Sequence, residues 1–93
     1  MLSQTPIELN KVGQGNIERE AIRLAIIAEL DAISLYEQLA NMVTKDDLKR
    51  VLLDVAREEK THVGEFQALL LKYDKEQLKE LENGRKEVEE LSE

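Results

Sequence analysis

Apolar side chains recur along this chain in steps of four and three over two long stretches, with a short polar turn between them. In the first, Ile22, Ile26, Glu29, Ile33, Tyr36, Ala40 and Val43 follow the heptad rhythm of one packed seam. The spacing predicts a helix over roughly 17–43, with Asn16 as its N-cap. Ala21, Leu24, Ala25, Ile27, Ala28, Leu30, Ala32, Leu35 and Leu39 fall on other faces of it, a wider apolar surface than one partner helix covers. In the second stretch the seam reads Leu48, Leu52, Val55, Glu59, His62, Phe66, Leu69 and Tyr73, predicting a helix over about 45–73. Thr44 is placed to cap it, with Asp47 three residues on as an acidic form of the capping box.

Further along, Asp74 is positioned to cap a shorter, highly charged helix that runs to about Glu82, and Asn83-Gly84 reads as a stop. The terminal "RKEVEELSE" is either another helical piece or a frayed acidic tail. Upstream, Thr5, Pro6 and Glu8 suit one helical turn. Gly13 and Gly15 then read as a flexible joint, since no strand is expected before them and their spacing fits no nucleotide-binding loop. The expected fold class is all-α: an extension over 1–15, an antiparallel two-helix hairpin over 16–74, and a short charged C-terminal helix and tail over 75–93. The excess apolar width of the first helix predicts a four-helix bundle that forms only when two hairpins dimerise.

Composition narrows the classes of function. Of the 93 residues, 42% are hydrophobic, 35% are charged and only 3% aromatic, a balance that favours long helices with polar faces over sheet. The chain has no cysteine, which excludes disulfides, iron–sulfur clusters and thiolate metal sites. A formal charge of −7 argues against nucleic acid or an anionic membrane as partner; it is compatible with attraction of cations, though solubility alone is the simpler account of it. With no signal peptide and no membrane span in view, the cytosol is the expected compartment.

Two residues of the second seam stand where leucine is expected: Glu59 and His62, the latter the one histidine in the chain. If the helices close about Thr44, residues at equal height have numbers summing to 88, so that Glu29 faces Glu59, Ile26 faces His62 and Ile33 faces Val55. Helix rise then puts the carboxylate pair about 22 Å from the turn, mid-seam, with apolar layers above and below. Such groups need compensation, because an unpaired buried carboxylate costs several kcal/mol and two together repel. Lys60 and Arg57 lie off the seam. A divalent cation satisfies all three groups, and carboxylate oxygens with an imidazole nitrogen suit iron, manganese, cobalt or zinc. The i, i+3 spacing lets Glu59 and His62 grip one ion from one face. The alternative is a histidine hydrogen-bonded to Glu59 or Glu29 with no metal.

The ligand set is half of a known kind. Di-iron carboxylate bundles take one Glu from each of two helices and a Glu-x-x-His pair from each of the other two. This chain supplies Glu29 once and Glu59 with His62 once, so a two-fold axis through the site would complete it around two metals about 3.5–4 Å apart. Tyr36, two turns beyond Glu29, is open to a hydrogen bond with a metal-bound group or to simple packing. Glu65 fits a solvated face better than a bond to the imidazole, Glu58 and Asp54 read as exposed, and Met42 reads as packing.

The segments "IAELDAISLYEQLA" and "LLDVAREEKTHVGEFQALLL" resemble the ferritin-like superfamily, and most closely the encapsulated ferritins, over roughly residues 20–75. The resemblance implies a ferritin-like bundle and a ferroxidase that oxidises Fe(II) to Fe(III) with dioxygen. Its site would lie at a dimer interface with two iron ions per dimer, and the dimers would assemble into a ring-like decamer. It implies Glu29, Glu59 and His62 as iron ligands, Asp31 as part of an outer site through which metal arrives, and Tyr36 as a tyrosine beside the metal centre. It also implies a cytoplasmic location within an encapsulin nanocompartment, where released Fe(III) would mineralise. Ala28 stands where a second acidic residue can occur in this family and Leu35 where an aromatic can. The tail is too polar for a typical shell-targeting peptide, so the expectation is either that the chain belongs to a longer fusion with the shell protein or that docking works differently.

Three other functions compete. A rubrerythrin-like peroxide-reducing domain shares the chemistry, though the chain has no cysteine for an attached electron-transfer centre. A non-enzymatic hairpin scaffold would dimerise through its first helix with Glu59 and His62 merely paired. A metal sensor or carrier would bind iron without turnover.

Overall fold

The computed structural model describes residues 16–92, which form three helices and, within that range, no strand. Helix α1 spans Ile17–Met42, α2 spans Asp46–Tyr73 and α3 spans Lys75–Leu91. The expected turn and joint over residues 1–15 lie outside the described residues. α1 and α2 pack side by side as the hairpin, and α3 packs on α2 alone. No helix here is long and apolar enough to cross a membrane.

Local chemistry explains most boundaries and corrects two. Asn16 occupies the N-cap of α1 as expected, but its side chain makes no cap bond. The Thr44–Asp47 capping box does not form, because α2 starts later: Lys45 is its N-cap and offers no side-chain acceptor. Asp46 and Asp47 instead place negative charge in the first turn, where the helix dipole favours it. The Asp47 carboxylate accepts from the Leu48 N–H at 2.7 Å. Asp74 caps α3 as predicted, its carboxylate accepting from the Gln77 N–H at 3.0 Å.

The stop at Asn83-Gly84 is not observed; α3 runs straight through to Leu91. A C-terminal glycine stop requires a left-handed residue, and no glycine among the described residues has a positive φ. Surface pairs brace both sides of the glycine: Asn83 donates to Glu80 at 3.2 Å, and Arg85 bridges Glu82 and Glu89 along one face. Such i, i+3 and i, i+4 pairs favour the helical conformation and oppose the helix-weakening effect of one internal glycine.

A single hairpin closes very little core. Ile22, Ala40, Ala56 and Leu70 are its buried hydrophobic residues, and no large side chain is fully buried. Leu30, Leu48, Val51, Leu53 and Leu69 are exposed. Met42, expected as packing, is 77% exposed at the end of α1. The radius of gyration is 16.6 Å, against about 12 Å for a compact globule of similar length. The structure is a layer whose apolar faces remain to be covered.

Candidate metal centre

Glu29 reaches the site from the middle of α1, and Glu59 with His62 from the middle of α2, one turn apart on the same face. His62 Nδ1 lies 3.3 Å from Glu59 Oε2 and 3.4 Å from Glu29 Oε2. One potential ligand atom from each residue falls within 4.8 Å of the others, the one such cluster of three or more among the described residues. The carboxylates are largely covered, with side-chain exposures of 20% and 19%, whereas the imidazole is 44% exposed. The site is therefore a half-buried patch open on the histidine side, not the deep interior position expected from the seam.

The pairing across the hairpin also differs in detail from equal-height geometry. His62 reaches Glu29, in line with the expected grouping, and Lys60 reaches Glu37 at 3.1 Å. In both pairs the α1 residue lies nearer the loop than the position at equal height. Side chains tilt toward the N-terminus of their own helix. In an antiparallel pair, α2 side chains thus lean toward the loop and α1 side chains lean away from it, so contacts join residues past the level of their Cα atoms.

Two observations bear on whether these residues suit a cation. Glu29 Oε2 is buried and accepts no hydrogen bond; the Nδ1 of His62 is close enough for an ion pair yet does not satisfy it. The basic side chains next to the site are engaged elsewhere, Lys60 with Glu37 and Arg57 with Asp54 at 2.7 Å. A histidine simply paired with Glu59 accounts for one contact and leaves the Glu29 oxygen stranded, a costly condition for a buried acceptor. Two carboxylates meeting one imidazole, with Lys60 and Arg57 paired elsewhere, fit a transition metal.

Asp31 does not join this cluster. It is two residues from Glu29 and so about 200° round the helix, half-buried and engaged in contacts of its own. Tyr36 is half-buried on the α1 seam, and it too is no member of the ligand group. Glu65, Glu58 and Asp54 are exposed, as expected. The reading by seams missed the pairs Glu37–Lys60 and Arg23–Asp74, which both cross the hairpin. Their only trace in the sequence is opposite charge just off the apolar stripe.

A family model described as rubrerythrin matches residues 20–93. A ferritin-like–encapsulin shell fusion protein of Pyrococcus furiosus is 54% identical over 94 residues, covering 99% of this chain and 27% of that protein. The encapsulin nanocompartment cargo protein EncC of Myxococcus xanthus is 42% identical over 57 residues, covering 61% of this chain and 44% of that protein. The chain thus spans under half the length of either curated relative. The crystal structure of the encapsulated ferritin domain from Pyrococcus furiosus superposes with a TM-score of 0.83 at 54% identity, covering 98% of this chain and 95% of that one. A family match over most of the chain, joined to a near-complete structural match, decides its kinship: the chain belongs to the rubrerythrin family and has the ferritin-like helical fold of an encapsulated ferritin domain.

Proposed function

We propose that this chain is a ferroxidase that oxidises Fe(II) with dioxygen at a site shared by two copies, supplying iron for storage inside an encapsulin compartment. The observation that carries the reading is the stranded carboxylate oxygen of Glu29 facing His62 and Glu59, an arrangement that asks for a cation. Glu29, Glu59 and His62 of each copy would hold the iron, two ions per dimer. Their carboxylates can shift between terminal and bridging positions as the charge on iron changes, and the imidazole fixes one coordination direction. Two Fe(II) give up two electrons, enough to reduce one dioxygen to hydrogen peroxide with two protons.

The exposed leucines of both hairpin helices support self-association, since a surface this apolar is stabilised by covering it. A homodimer, and a decameric ring of dimers, belong to the same proposal. So do association with an encapsulin shell, by fusion or otherwise, and a cytoplasmic location within it; both curated relatives carry encapsulin in their names. Asp31 would draw metal in from the outer face, and Tyr36 would sit beside the bound ions.

The test is aerobic addition of Fe(II) with ferric absorbance followed in time. The wild type should show a catalysed phase that Glu59→Ala and His62→Ala lose; equal rates in all three would remove the claim of catalysis. Native mass spectrometry with and without Fe(II) then reads metal count and assembly together. The rubrerythrin match favours a second reading, reduction of peroxide by the same metal pair. Oxidation driven by hydrogen peroxide under nitrogen, with little rate in air, would select it.

A further inference from the structure

One residue separates α2 from α3. Asp74, extended at φ −129° and ψ 92°, ends the first and caps the second. All four of its polar groups are engaged. Its N–H donates to the Leu70 carbonyl at 2.8 Å and its carbonyl accepts from Leu78 at 3.2 Å. One carboxylate oxygen accepts from the Gln77 N–H at 3.0 Å, and the other accepts from Arg23 of α1 at 2.8 Å. Arg23 is itself braced by Glu20 at 3.1 Å. Asp74 is 6% exposed, the one buried charged residue among those described.

These bonds divide into two jobs. Three of them run within α2 and α3 and would persist at any angle between α3 and the hairpin. The fourth is the one hydrogen bond among them that ties the elbow to α1, with the Arg19 charge of α1 nearby, and α3 makes no close backbone approach to α1. We infer that the Arg23–Asp74 pair is a latch that fixes the direction in which α3 leaves the hairpin, and that α3 swings as a rigid arm about Asp74 when the latch is broken. The lever is long: α3 has 17 residues, about 25 Å of helix, so a turn of about 30° carries its far end about 13 Å. The arm bears exposed Leu78, Leu81, Val88 and Leu91. The latch therefore sets where that apolar surface is presented.

The absence of cysteine makes a direct test simple. Spin labels on Glu18→Cys and Glu87→Cys, both at exposed positions, report the α1–α3 distance in full-length protein diluted with unlabelled chain. The unmodified elbow should give one narrow distance peak. Arg23→Gln and Asp74→Asn, the latter keeping a good N-cap side chain, should each lose that peak while helix content by circular dichroism is retained. A broad distribution without mutation, or the original peak surviving in either variant, overturns the latch. If Arg23→Gln loses helix content, the pair is needed for folding and the proposal likewise fails; Arg23 is partly exposed, so the expected result is a folded variant.

Discussion

Replacing Glu29 with leucine should make the metal-free protein more stable and the metal-loaded protein less so. The structure supplies the reason: Oε2 of Glu29 is buried without a hydrogen bond, and the nearest nitrogen, His62 Nδ1, stands 3.4 Å away. An unsatisfied buried polar group costs about 1–3 kcal/mol. The side chain is 20% exposed, so the low end applies, and leucine at that seam position adds apolar contact. A gain of about 1 kcal/mol raises the melting temperature by about 4–8 °C for a domain of this size. Metal reverses the order. A ligand at a hundred times its Kd stabilises the wild type by about 2.7 kcal/mol, and the variant forfeits most of that with its lost oxygens. The assay is thermal unfolding by circular dichroism at one protein concentration, after chelator treatment and again with Co(II), which is not oxidised by air under these conditions. The two melting curves should exchange order when metal is added. A leucine variant that melts below wild type without metal, yet shifts equally with Co(II), would refute both the stranded oxygen and its role as ligand.

Other outcomes follow from particular residues. Gly84→Ala should stabilise α3 by about 0.5–1 kcal/mol, because the glycine is helical, has no positive φ and leaves open space for a Cβ; helix content and melting temperature check this. Leu30→Glu combined with Leu53→Glu should shift the protein toward monomer in light scattering, since both side chains are exposed on the separate chain; an unchanged mass would place the interface elsewhere. The Gln77 N–H bond to Asp74, with Arg23 and Arg19 nearby, holds the Asp74 carboxyl below the usual carboxylate range. A lowered folded pKa means that its contribution is fully present above the ordinary carboxylate value and is lost as pH falls through the folded one. The Gln77 amide resonance should accordingly stay constant through neutral and mildly acidic pH and move only in stronger acid. Movement at the ordinary aspartate range would contradict the cap and the ion pair.

The two long helices, the turn near Thr44 and the grouping of Glu29, Glu59 and His62 were legible in the chain itself, because they depend on periodicity. Steps of four and three put a residue on one face of a helix whatever lies opposite, and Glu59 with His62 on an apolar seam marks an interruption that local propensity does not explain. Asp74 was legible for the same kind of reason, since a cap is a bond between near neighbours. The stop expected at Asn83-Gly84 failed because a glycine permits a break without requiring one, and the charged pairs around it favour continuation.

What only the tertiary structure decided is how far each group sits from water and which partner it meets across the hairpin. Equal-height counting follows Cα positions, whereas contacts are made by side chains that lean toward their own N-termini, so Lys60 meets Glu37. The imidazole is only half-buried and Met42 uncovered because two helices alone enclose almost nothing. The order of residues determined which faces the helices have; the packing of one helix on another determined which of those faces remain open, and the open ones include the edge of the candidate metal centre.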